Sequence, residues 1–129
     1  MLKVHNPKSI AAPLAPSYCH GMEVPPNARW LFTAGEVGVD ASGAVVAGFE
    51  AQCRLVWSNI IEILRSADMS ASDIVKMHAF VVAGCDMMAY ANIRSEFLGD
   101  HKPASAAIYV PALLKAELLI EVDVTAAKV

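Results

Sequence analysis

Apolar residues recur at helical spacing in one long segment of this chain and alternate at strand spacing in several others. From Phe49 to Ala67, the residues Phe49, Cys53, Val56, Trp57, Ile60, Ile61 and Leu64 fall on a single stripe, the pattern of a helix with one buried face. Gln52, Arg54, Ser58, Asn59, Glu62 and Arg65 lie between them and predict a polar side. A shorter helix is predicted from Met87 to Leu98, after the breaker Gly84-Cys85-Asp86. Over Ile74 to Ala83, Val75, Met77, Ala79 and Val81 alternate with Lys76, His78, Phe80 and Val82, which is strand period. Leu118 to Ala126 repeats the pattern, with Leu118, Ile120, Val122 and Val124 on one face and Leu119, Glu121, Asp123 and Thr125 on the other. Ser105 to Val110 reads as a strand between the Pro103 and Pro111 turns. Before the long helix, residues 1–16 read as an extended arm. Tyr18–Val24 and Arg29–Ala34 read as a hairpin about Pro25-Pro26-Asn27, continued by Gly35–Asp40 to a turn at Ala41-Ser42-Gly43.

This order of elements predicts an α+β domain: a mixed sheet with both crossover helices on one face and the other face bare. Ser105, Ala107 and Tyr109 are assigned to the bare face together with Glu121 and Asp123. The 129 residues fit a single domain, 1–129. They are 56% hydrophobic and 18% charged, with a mean hydropathy of +0.44. That is more apolar surface than so small a core absorbs, so the bare face is expected to pack on other subunits. The longest apolar run, Ala106–Leu114, falls far short of the ~20 residues of a membrane span. The start of the chain shows no signal-peptide pattern. Three cysteines, Cys19, Cys53 and Cys85, sit in apolar contexts, as expected of reduced thiols in a cytoplasmic protein. A net charge of −3 without any Lys/Arg cluster argues against nucleic acid as a partner. The histidines His5, His20, His78 and His101 are dispersed, so no metal is expected. Gly35-x-x-Gly38 is too short for a nucleotide loop, and no cofactor is expected.

Several short motifs gain meaning from their order. They are Ser17-Tyr18-Cys19-His20-Gly21, Ala34-Gly35-Glu36-x-x-x-Asp40, Gln52 with Asn59-Ile60, Ile74-Val75-Lys76, Lys102-Pro103-Ala104-Ser105, and Glu121-x-Asp123. Together they resemble the RidA/YjgF family of reactive-intermediate imine/enamine deaminases over nearly the whole chain. The resemblance implies a chorismate-mutase-like domain that assembles as a homotrimer, with a small-molecule cleft between neighbouring subunits. It also implies imine hydrolysis to a carbonyl compound and ammonia. A glutamate positions the water in that family, a loop glycine offers its backbone, a tyrosine lines the cleft and an arginine holds the substrate carboxylate.

Matched residue by residue, Glu121 takes the glutamate position, Gly35 the loop glycine and Tyr18 the tyrosine. Ala107 takes a position often held by cysteine or serine, and His20 stands where glutamine is usual. Ser105 replaces the arginine. Serine cannot make a bidentate, charge-assisted pair, and hydrogen bonds to charged groups contribute about 1.5–3 kcal/mol each. The expectation is therefore a Rid-like trimer with an altered substrate range, favouring imines without an anchoring carboxylate, or else a trimer that binds a metabolite without turnover. Lys102 and Arg94 are the other cations considered as anchors, both expected to be solvent-facing.

Overall fold

The elements run β1 (Lys3–His5), β2 (Gly21–Glu23), β3 (Arg29–Phe32), β4 (Glu36–Val37), α1 (Phe49–Ser66), β5 (Ile74–Val82), α2 (Met87–Leu98), β6 (Ala104–Val110) and β7 (Ile120–Lys128). They are described from a computed structural model covering residues 1–129. A short 3-10 turn, Ala71–Asp73, precedes β5, and the Asp73 carboxylate closes it by accepting the Ser70 N–H at 2.8 Å.

The sheet order is β3-β7-β5-β6, with β4 also paired to β7. β5 and β7 are antiparallel, whereas β5 and β6 are parallel. A parallel neighbour needs a crossover, and α2 supplies it. The core lies between the helices and one sheet face. It joins Cys53, Val56, Trp57, Ile60 and Leu64 of α1 to Met77, Ala79 and Val81 of β5 and to Ile120, Val122, Val124 and Ala126 of β7. The two-layer α+β architecture and the predicted helices are therefore present, and the apolar phases of β5 and β7 are as expected.

Gln52 breaks the expected polar side of α1. It is buried, its Nε2 donates to the carbonyls of Val46 at 3.0 Å and Glu117 at 2.8 Å, and its Oε1 accepts the Leu119 N–H at 2.8 Å. One amide thus ties two loops and the approach to β7 onto the helix. Gly38 packs against the same side chain, where a Cβ would lie 2.6 Å from Gln52 Cγ.

The hairpin expected between Tyr18–Val24 and Arg29–Ala34 does not form. β2 instead pairs with β1, so the N-terminal arm contains a strand, and β3 pairs with β7. Proline 25 and 26 lack the N–H groups a tight hairpin needs. Joining β7 also sets Leu31 opposite the buried Ala126, where it packs against the core.

Candidate functional site

Strand register decides which candidate residues meet. Ser105, Ala107 and Tyr109 stand opposite Met77, Ala79 and Val81, and directly paired residues share a face. All three therefore point to the helix side. The Tyr109 hydroxyl confirms this phase, since it donates to the Cys85 carbonyl at 3.2 Å and lies 3.3 Å from the Met87 N–H at the start of α2. Glu121 and Asp123 pair with Phe80 and His78 and point to the open side. The expectation that Ser105 and Glu121 share the bare face is thus wrong. They lie on opposite faces with β5 between their strands, two strand spacings (about 10 Å) apart across the sheet and three residues (about 10 Å) apart along it. β6 is an edge strand, exposed or half-exposed throughout, so burial left no alternation from which its phase could be read.

Two clusters result. In the first, β4 runs beside β7 with Val37 opposite Glu121. A Cβ at Gly35 would lie 2.5 Å from Glu121 Oε2 and 2.7 Å from Cδ, so the carboxylate occupies the space that the glycine leaves. Gly35 and Glu121 are brought together as the motif implies. The neighbouring Glu36 pairs with Val122 on the helix side, and partial burial holds its carboxyl above the usual range. His78 Nδ1 lies 2.8 Å from Asp123 Oδ1, and the imidazole stacks on Phe80. His78, dispersed from the other histidines in sequence, finds its partner on another strand, at a register position that sequence spacing does not reveal.

In the second cluster, the Cys19 N–H donates to the Pro103 carbonyl at 3.3 Å, and Cys19 bridges to Ala104. This places Tyr18 beside the start of β6 and Ser105. The Tyr18 hydroxyl accepts the Leu14 N–H at 2.8 Å and lines a cavity of 380 Å³ with Asn6 and Lys102. His20 acts as a strut of the arm: its Nε2 donates to the Ala11 carbonyl at 2.7 Å, and its N–H donates to Asn6 at 2.8 Å. Arg94, expected to be solvent-facing, is only 7% exposed. Ala107 is exposed on the β6 edge.

Burial raises all three thiols, Cys53 to about 12, so none is poised as a nucleophile. No group of three His, Cys, Asp or Glu side chains converges in a way that would hold a metal ion. No helix is long and apolar enough to cross a membrane.

The family model for Endoribonuclease L-PSP matches residues 9–128. A RutC family protein of Pyrococcus horikoshii is 34% identical over 102 residues, 78% of this chain and 80% of that protein. The solved structure of a conserved Rid family protein from Yersinia pestis superposes with a TM-score of 0.86 at 31% identity, covering 98% of each chain. TdcF of Escherichia coli, named as a reactive intermediate deaminase, is 26% identical over 102 residues, 76% of this chain and 78% of TdcF. With its motifs in order, its helix-on-sheet fold and these relatives, the chain belongs to the Endoribonuclease L-PSP family, which is the Rid (RidA/YjgF) family.

Proposed function

We propose that this protein is a hydrolytic deaminase of small imines or enamines, working as a homotrimer whose clefts combine the two clusters from neighbouring copies. The Glu121 carboxylate against Gly35 carries this reading. It stands on the open sheet face, half-buried, beside a backbone that has no side chain to shield it. Each chain presents the Tyr18–Ser105 cluster on the far side of its own sheet, so a second copy is needed to bring the two halves together. The 26% identity with TdcF supports the reaction class.

In the proposed reaction, Glu121 accepts a proton from a water molecule as its oxygen attacks the imine carbon. The C=N bond becomes a C–N single bond, and nitrogen takes up that proton from Glu121. Collapse of the resulting carbinolamine breaks that bond as the hydroxyl proton passes by way of Glu121 to the departing nitrogen, releasing ammonia, leaving a carbonyl compound and returning Glu121 to its carboxylate. A positioned general base contributes about 10²–10⁴-fold. Nothing in these steps calls for a cofactor. Ser105 removes the strand-borne cation from the cleft, and the substrate range differs from that of arginine-bearing relatives accordingly.

The reading is tested by generating 2-iminopropionate and several non-carboxylate imines in situ and following ammonia release with the wild type and Ser105→Arg. Acceleration of at least one imine by the wild type is expected, with Ser105→Arg shifting preference towards 2-iminopropionate. Release at the uncatalysed rate across the panel would favour the alternative, a trimer that binds a metabolite without turnover.

A further inference from the structure

Arg94 has no anionic partner of its own. It lies within α2, only 7% exposed, with Nε buried and without a hydrogen-bond partner. Its guanidinium carbon lies over the Tyr90 ring, 5.7 Å from the centroid. The N–H edges of a guanidinium are what it offers an anion, and no carboxylate meets those of Arg94. The nearby carboxylate of Glu96 is engaged by Arg54. A desolvated, unpaired cation is costly to fold around, and such a cost at a cavity wall is a mark of a binding site.

Arg94 lines a cavity of 260 Å³ together with Ser17, Ser95, Gly99, His101 and Lys102, and no carboxylate lines it. Lys102 and Pro16 also line the cavity that holds Tyr18, so the two hollows adjoin. The level of Arg94 along the sheet follows from the crossover. α2 runs antiparallel to β6, with Met87 tied to Tyr109. From Met87 to Arg94 the helix descends about 10 Å, and from Tyr109 back to Ser105 the strand descends about 13 Å. Arg94 therefore lies within a few ångströms of the level of Ser105 along the strand direction, the position from which the strand cation is missing.

We propose that this pocket binds the carboxylate of a small organic acid, with Arg94 as a bidentate anchor and Lys102 as a second cation. The planar fork of a guanidinium matches the two oxygens of a carboxylate. The carboxyl end of α2 at Leu98 and Gly99 contributes about half a negative charge, which partly offsets the two cations and leaves a site suited to one small anion. The proposal deepens the small-metabolite reading of the cleft, but it requires no turnover at Glu121.

The test is an NMR titration of the ¹⁵N-labelled protein with pyruvate, with acetone as the neutral control and inorganic phosphate as the dianion. Saturable shifts at Ser95, Gly99 and Lys102 are expected with pyruvate, at least tenfold weaker with acetone or phosphate. Arg94→Met should abolish them while melting at or above the wild-type temperature, because the unpaired cation is gone. Lys102→Ala, an exposed change that leaves the fold intact, should weaken binding several-fold. No saturable shifts, equal binding by Arg94→Met, or tighter binding of phosphate would each overturn the proposal. A lower melting temperature for Arg94→Met would do so as well, by making the arginine structural. Pyruvate binding without imine turnover would refute the deaminase and keep this pocket; turnover with Arg94→Met unimpaired in binding would do the reverse.

Discussion

Gly35 and Glu121 show how one missing side chain makes room for another. The atoms nearest a Cβ at position 35 all belong to the flexible end of Glu121, so the side chain can give way before the backbone does. Gly35→Ala is therefore expected to shift the melting temperature by no more than a few degrees, equivalent to roughly 1 kcal/mol. Imine turnover should fall at least tenfold as the carboxylate is displaced, which paired melting and ammonia-release measurements would show. This pair was legible as a motif. Arg94 was not, because a lone arginine on a helix of mixed polarity reads as a surface residue until tertiary contacts bury it. His20 was read as a site candidate, but its ring is spent on the Ala11 carbonyl, a contact within an irregular arm that carries no periodic signal.

Among the elements, α1, β5 and β7 were readable because each buries one face completely, and burial is what imposes periodicity on a sequence. β6 was readable as a strand but not in phase, since an edge strand exposed on both sides is under no such constraint. That one-residue ambiguity moved Ser105 and Ala107 to the wrong side of the sheet. β3 was readable as a strand but not in its pairing, which is set by a partner nearly a hundred residues downstream in sequence (Leu31 opposite Ala126). Gln52 was assigned by polarity to solvent, whereas its amide satisfies three backbone groups of distant segments. Gln52→Leu keeps the volume and removes all three bonds, so it is expected to cost about 3 kcal/mol. Chemical denaturation would show this as a lower midpoint at unchanged slope, and an unaltered midpoint would mean that water replaces the amide.

For the molecule as a whole, the open sheet face is the feature a single chain leaves unexplained. Trp30 and Phe32 are 51% and 70% exposed and stack on each other with ring centroids 6.1 Å apart. Phe80 shares their face through the β5–β7 and β3–β7 registers. Apolar surface of this kind marks an interface, and a contact between different patches on successive copies closes into a ring when the rotation permits. Light scattering is expected to give three times the mass of the 13.7 kDa chain; a monomer at assay concentration would separate the two clusters and remove the cleft. The most direct measurement is the rate of ammonia release from whichever imine the wild type accelerates most, compared with Glu121→Gln at equal chain concentration. The account predicts a loss of about 10²-fold or more with unchanged mass and melting temperature. Equal rates in the two proteins would contradict it, because the carboxylate would then have no part in activating water.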